Sequence, residues 1–169
     1  IEISLTNPDV LYAGTDSNDM TMYRSENGGA SWRLVHVSGH NAGVAISPID
    51  SNIVLYTNLE AAVQLTTNGG ENWKGVVGNN PETQNYNKPF TAIAFSTDQP
   101  NIVYTAALRG STRGGIWPAE PSDIFKSTDS GKTWEQVGIC ETCSSVQTIV
   151  VMEGDSNYVR VTADGGLQF

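Results

Sequence analysis

Ser25-Glu-Asn27-Gly-Gly29-Ala-Ser-Trp32, Thr66-Thr-Asn68-Gly-Gly70-Glu-Asn-Trp73 and Ser127-Thr-Asp129-Ser-Gly131-Lys-Thr-Trp134 all fit one template, Ser/Thr-x-Asn/Asp-x-Gly-x-x-Trp. A motif that recurs along a chain fixes architecture before any single residue is read. Each copy follows one short apolar run and precedes another: Met22-Tyr23 and Leu34-Val35, Val63 and Leu65 then Val76-Val77, Ile124-Phe125 then Val137. That arrangement predicts a hairpin with the template at its turn. Asn or Asp caps its own turn by accepting backbone N–H bonds and tolerates left-handed conformations. Gly supplies a positive φ without steric cost. The Ser or Thr hydroxyl bonds the same turn, and the Trp ring folds back over it as an apolar anchor.

A second repeated element precedes each of these turns. Asn7-Pro-Asp-Val10-Leu-Tyr12-Ala, Ser51-Asn-Ile53-Val-Leu-Tyr56-Thr and Pro100-Asn-Ile102-Val-Tyr104-Thr each read as a turn followed by a strand, and Ser156-Asn-Tyr158-Val-Arg160-Val is a fourth copy. Another strand lies upstream of each, at Ile1–Ser4, Val44–Ser47, Ala92–Ser96 and Thr148–Met152. Each unit therefore reads as strand A, turn, strand B, loop, strand C, template turn, strand D. That is a four-stranded antiparallel meander of propeller-blade type. Aligning Tyr12, Tyr56, Tyr104 and Arg160 gives spacings of 44, 48 and 56 residues, so the third unit carries an insertion. The blades are expected at 1–37, 42–79, 90–138 and 146–169, the last incomplete. The stretch 162–169 also fits the template superficially. It directly follows strand B, however, and reads as the B–C hairpin with Gly165-Gly166 at its turn.

The template resembles the Asp-box, or BNR, repeat of β-propellers, found in sialidases, xyloglucanase-type glycoside hydrolases, sortilin-type receptor domains and a photosystem assembly factor. The resemblance covers nearly the whole chain. It implies an all-β propeller segment of about three and a half blades, with the ring incomplete in this chain. It also implies that the boxes are structural: Ser25, Asn27, Gly29, Trp32, Thr66, Asn68, Gly70, Trp73, Ser127, Asp129, Gly131 and Trp134 would lie away from the ligand face. That face is built instead from D–A connections and B–C loops. Closed propellers have about 4–8 blades, so the rest of the ring is expected in the same protein or in a second copy of the chain. The first residue, Ile1, also points to a processed chain or a piece of a longer one.

Composition narrows the classes of partner. Charged residues are 16% of the chain and the net charge is −9, with nine scattered Lys and Arg. Nucleic acids call for a basic patch, so they are not expected partners. No apolar run approaches the 18 residues of a membrane span, so insertion is not expected. Phosphate-loop, EF-hand and zinc motifs are absent from the sequence, and no cofactor or metal is expected. Cys140 and Cys143 sit in Gly-Ile-Cys-Glu-Thr-Cys-Ser. They read as a local disulfide in an oxidising compartment, as half of a metal site with His36 or His40, as a redox pair, or as free thiols.

Candidate ligand contacts fall in the longest loops. The stretch 107–123 holds Arg109, Arg113, Trp117 and Glu120, and Trp117 is the only Trp outside a box. An aromatic ring flanked by Arg and carboxylate suits a sugar, or else packs on the blade edge. The 78–90 loop is rich in amides and carries Tyr86. Asp16 ends Leu11-Tyr12-Ala13-Gly14-Thr15-Asp16, which resembles the first-blade strand of xyloglucanase-type hydrolases. There, an Asp after Tyr-Ala-Arg-Thr is one of two catalytic carboxylates. This chain has Gly14 where that family has Arg, and its blade carries a box. A partner carboxylate is required, and Glu60, Glu120 and Asp123 are the local options. The arginines match no sialidase motif, and His36 and His40 lack the context of a nucleophile elbow.

The leading expectation is part of a secreted, extracellular or periplasmic carbohydrate-active propeller, possessing glycoside hydrolase activity if it is an enzyme. The alternatives are a propeller that binds protein or peptide without catalysis, and a structural module of a large surface protein.

Overall fold

The computed structural model describes residues 1–15, 21–37, 41–58, 62–77, 88–108, 121–143, 145–163 and 166–168. These form fifteen strands in four antiparallel sheets, with no helix among the described residues. The first sheet holds β1 (Glu2–Ile3), β2 (Leu11–Gly14), β3 (Thr21–Ser25) and β4 (Arg33–Val37). The second holds β5 (Asn41–Ile46), β6 (Val54–Asn58), β7 (Ala62–Thr66) and β8 (Lys74–Val77). The third holds β9 (Phe90–Phe95), β10 (Val103–Leu108), β11 (Ser122–Ser127) and β12 (Glu135–Cys140). The fourth has three strands: β13 (Val146–Val151), β14 (Val159–Ala163) and β15 (Gly166–Gln168). In every sheet the strand order follows the chain order, and Ala163 pairs with Gly166 at the B–C hairpin of the last. The architecture is a propeller segment of three complete blades and one three-stranded blade.

The box turns owe their shape to one hydroxyl and one side-chain oxygen apiece. Ser25 Oγ accepts from Asn27 N and Gly29 N at 3.3 and 2.9 Å and donates to Asn27 Oδ1 at 3.0 Å. Asn27 Oδ1 then accepts from Ser31 N at 2.8 Å. Thr66 with Asn68, and Ser127 with Asp129, make the same set of bonds. Three N–H groups of each tight turn thereby find side-chain acceptors. Each box is also bonded to the A–B turn of its own sheet, through Gly28 N to Asp9 O, Gly69 N to Asn52 O and Ser130 N to Asn101 O at 2.9–3.0 Å. The A–B and C–D turns therefore share one face.

The sheets pack face to face, so the middle ones are buried on both sides. Val54–Asn58 is buried at every position, where a half-exposed strand would alternate. The seam between the second and third sheets is apolar: Leu55, Val63, Leu65 and Val76 meet Phe90, Val103 and Phe125. The seams on either side add polar latches. Tyr12 Oη donates to Ser51 O at 3.3 Å, with the Arg24 guanidinium over its ring and Arg24 Nη2 donating to Asn52 Oδ1. Tyr104 Oη donates to Ser156 O at 2.8 Å, with Lys126 Nζ over its ring and donating to Asn157 Oδ1.

These bonds shift the sequence alignment by one residue. Ser4 N, Ser47 N, Ser96 N and Met152 N close their A–B turns on Val10 O, Ile53 O, Ile102 O and Tyr158 O. Tyr12, Leu55, Tyr104 and Arg160 are thus equivalent, and Tyr56 is one position further on. Because successive strand residues face opposite ways, Tyr56 points back at the first sheet. It lies against His36 and Trp73 with ring centroids 5.4 and 5.1 Å away. Burial lowers the pKa of His36 from its usual range.

Two substitutions separate backbone strain from packing. A Cβ on Gly70, at φ +90°, would sit 2.7 Å from Val35 Cβ, whereas one on Gly154, at φ +80°, would meet nothing within 4 Å. Gly154→Ala is expected to cost about 1–2 kcal/mol, the left-handed penalty alone. Gly70→Ala is expected to cost about 3 kcal/mol or more, because overpacking adds to it. Urea unfolding measures both.

Asp129 gives a pH prediction. Partial burial raises its pKa, but bonds from the Thr133 hydroxyl and N–H, the Ser127 hydroxyl and Lys132 N outweigh that and lower it below the ordinary 3.8. A carboxyl depressed by folding contributes stability above its unfolded pKa and loses it as pH falls through its folded one. Asn27 fills the same place, with Nδ2 donating to Ser31 Oγ. Asp129→Asn is therefore expected to fold. Its stability deficit against the parent should shrink between about pH 5 and pH 2, read from urea midpoints across that range.

Candidate functional site

The face opposite the boxes carries the B–C and D–A connections, and the bases of those connections are closed by specific bonds. In the first sheet Thr15 N donates to Thr21 O at 2.9 Å, and the two hydroxyls are 3.0 Å apart. In the second, Asn58 Oδ1 accepts from Ala62 N at 2.9 Å. In the third, Leu108 pairs with Ser122, and Leu108 N also donates to Pro89 O. The long B–C connection of the third sheet thus leaves and returns beside the D–A connection that enters it.

At that return stands a buried ionic anchor. Asp123 is 1% exposed and faces the seam between the second and third sheets, on the same side of β11 as Phe125. Gln136 Nε2 donates to its Oδ1 at 2.9 Å, and Lys88 Nζ lies 3.5 Å from its Oδ2. A carboxylate removed from water needs such partners, since burying it unpaired costs several kcal/mol. The neighbouring Ser122 is held from the other side: its Oγ donates to Cys143 O at 3.1 Å. Cys143 is buried and its sulfur is bonded to that of Cys140, bracing the D–A corner into the fourth sheet. Residues 122 and 123 are therefore fixed to both adjoining corners.

This arrangement fits positioning rather than acid–base chemistry. Both oxygens of Asp123 are engaged and water is excluded, so the carboxylate holds the loop base. His36 lies in the first seam among Tyr56 and Trp73, apart from the disulfide corner of the third sheet. Among the described residues no three His, Cys, Asp or Glu side chains gather as metal ligands would. Asp16, Tyr86, Arg109, Arg113, Trp117 and Glu120 lie outside the described residues, as do Glu60 and His40. Asp16 directly follows the closed base at Thr15, and Arg109 to Glu120 lie in the connection between Leu108 and Ser122. The twelve box residues lie on the opposite face. Sequence reading had no ground to single out the Lys88–Asp123–Gln136 anchor. Its one signal is an Asp directly before the apolar pair Ile124-Phe125 in β11.

No family model and no curated protein matches the chain. Solved structures do. An ancestral GH74 enzyme is similar over 94% of this chain and 21% of its own, at 25% identity and a TM-score of 0.69. The GH74 xyloglucanase from Xanthomonas campestris is similar over 95% of this chain and 25% of its own, at 16% identity and a TM-score of 0.70. YCF48 from Cyanidioschyzon merolae is similar over 81% of this chain and 38% of its own, at 18% identity and a TM-score of 0.60. A YCF48 bound to D1 peptide also matches, at 14% identity and a TM-score of 0.55. The chain thus spans about a fifth to a quarter of the GH74 chains it matches, and the likeness establishes a β-propeller.

The anchor yields a double-mutant prediction. Lys88→Met leaves the Asp123 carboxylate buried without its cation and is expected to cost about 2–4 kcal/mol, below the full buried-pair value because Lys88 is partly exposed. Adding Asp123→Asn, which keeps the Gln136 bond, is expected to recover at least about 1 kcal/mol of that loss. Urea unfolding of the four proteins reads the coupling.

Proposed function

We propose that this chain is part of a secreted, carbohydrate-active Asp-box propeller of the glycoside hydrolase type, acting on a xyloglucan-like β-glucan. The observation that carries this reading is the likeness to an ancestral GH74 enzyme over nearly the whole chain at 25% identity. The Cys140–Cys143 disulfide supports a secreted or periplasmic setting, because such bonds persist in oxidising compartments. In this reading Asp16 acts as one of the two carboxylates such hydrolysis needs. Trp117 stacks on a sugar ring, and Arg109, Arg113, Glu120 and Tyr86 bond hydroxyls around it. Asp123 is excluded as the second carboxylate by its burial against Lys88 and Gln136. That role falls to Glu60, Glu120 or another blade of the ring.

A second reading is a propeller that binds protein or peptide without catalysis. Its support is the likeness to YCF48, including one form bound to a peptide.

Reducing-end release from xyloglucan, measured with a polypeptide carrying this chain, separates the two. The hydrolase reading expects release, a loss of at least about 100-fold in Asp16→Asn with oligosaccharide binding kept, and weaker oligosaccharide binding in Trp117→Ala. No release and no oligosaccharide binding, together with peptide binding lost in Trp117→Ala, establishes the second reading and removes the first.

A further inference from the structure

A disulfide stabilises a fold most when it joins segments far apart in the chain, because it then removes most loop-closure entropy from the unfolded state. Cys140 and Cys143 are three residues apart, so their bond closes a single turn and joins no two strands. β12 ends at Cys140, and Cys143 N donates to Cys140 O at 3.2 Å within that turn. Other contacts hold both ends of the turn. Cys140 pairs with Ser122 across β11 and β12, and Cys143 is buried in a core with Ile124, Val146 and Ile149. A free cysteine serves such a core as a small hydrophobe. The sheets therefore keep their packing when the S–S bond is broken.

The bond nonetheless governs one contact on the candidate ligand face. Ser122 is fully buried, and its Oγ donates to Cys143 O at 3.1 Å. The S–S bond restricts the turn that carries this carbonyl. With the bond open, the turn gains freedom and the carbonyl leaves the hydroxyl, and a buried hydroxyl without an acceptor is unfavourable. Ser122 opens β11, where the connection from Leu108 returns, and its neighbour Asp123 is held by Gln136 and Lys88. One side of this loop base thus answers to the oxidation state of the cysteines, and the other does not.

We propose that Cys140–Cys143 is a reversible redox modification site, reduced by a dithiol, and that its reduction releases Ser122 and loosens the base of the long connection. Exchange proceeds by attack of a thiolate on one sulfur. Cys143 is 0% exposed, so attack falls on the partly exposed Cys140, beside the exposed Glu141 and Thr142. An S–S bond forms between the reductant and Cys140, and Cys143 Sγ departs with the electron pair and takes up a proton. The second thiol of the reductant then displaces Cys140 Sγ, which is protonated in turn. The reductant is oxidised to its own disulfide, and the chain gains two electrons and two protons as two thiols. The strand pairing at Cys140 and the packing of Cys143 keep those thiols at the ends of one turn, so a disulfide oxidant re-forms the bond.

The test treats the full chain with dithiothreitol in the absence of denaturant. Alkylation and intact mass count the thiols, and amide exchange is followed at 121–124, at 139–143 and across β9. The expected result is two thiols per chain, exchange faster by at least about tenfold at 121–124 and 139–143, and no change in β9. Glutathione disulfide should restore the slow exchange. Ser122→Ala, with its disulfide intact, should already exchange fast at 121–124 and gain little more on reduction. The double variant Cys140→Ser, Cys143→Ala should match the reduced chain and ignore dithiothreitol. A disulfide that yields only in denaturant overturns the proposal. So does reduction that leaves exchange at 121–124 unchanged. Faster exchange in every strand, or a double variant that fails to fold, also overturns it, since the bond would then be a structural staple. Each outcome is read on the chain itself and is independent of hydrolysis or peptide binding.

Discussion

Each box turn does two jobs with one set of atoms. Inside the hairpin, the hydroxyl of Ser25, Thr66 or Ser127 and the side-chain oxygen two residues on gather the N–H groups that a tight turn leaves unpaired. Across the seam, the glycine that permits the turn also lets the neighbouring sheet approach. Gly70 meets Val35 of the first sheet, and Gly131 meets Leu55 of the second. The absence of a Cβ therefore sets the spacing between blades as well as the backbone conformation. A fold in which every middle sheet is buried on both faces depends on that spacing, since a gap of even a methyl group forfeits packing on both sides.

The seams built on this contact differ in chemistry. The second packs mainly through Leu55, Leu65, Phe90 and Phe125, with the buried Asp123 facing it. The outer two carry a tyrosine, a cation over its ring and an amide from the next A–B turn. Those bonds are directional, so they fix how far one sheet slides along another, which dispersion alone does poorly. The alternation of interface types also explains why the first three sheets carry Tyr, Leu and Tyr at a single position.

On the opposite face, Asp123 shows why a carboxylate near a candidate ligand surface is not thereby a catalyst. Its side chain is buried, takes a bond from Gln136 and pairs with Lys88, so both oxygens are already engaged. Together with the Ser122–Cys143 bond, they hold the return of the longest connection to two corners of the ring. Chemistry on this face must come from side chains beyond those anchored bases.

The architecture was legible in the sequence because its determinants are local. A hydroxyl, an Asx oxygen, a glycine and a tryptophan at fixed offsets define a turn wherever they occur. Four repeats of strand, turn and strand then leave little freedom in topology. Function was legible only as resemblance, since the residues proposed for it lie in long connections without periodicity. Tertiary structure alone decided the direction of each strand's side chains. A repeated Tyr suggested aligning Tyr56 with Tyr12, but the A–B turn bonds make Leu55 its equivalent, and a shift of one residue in a strand reverses the face. The pairing of Lys88 with Asp123 was likewise beyond the sequence. It joins a residue before one strand to a residue two strands later, and such a meeting is set by how sheets pack, not by any spacing along the chain.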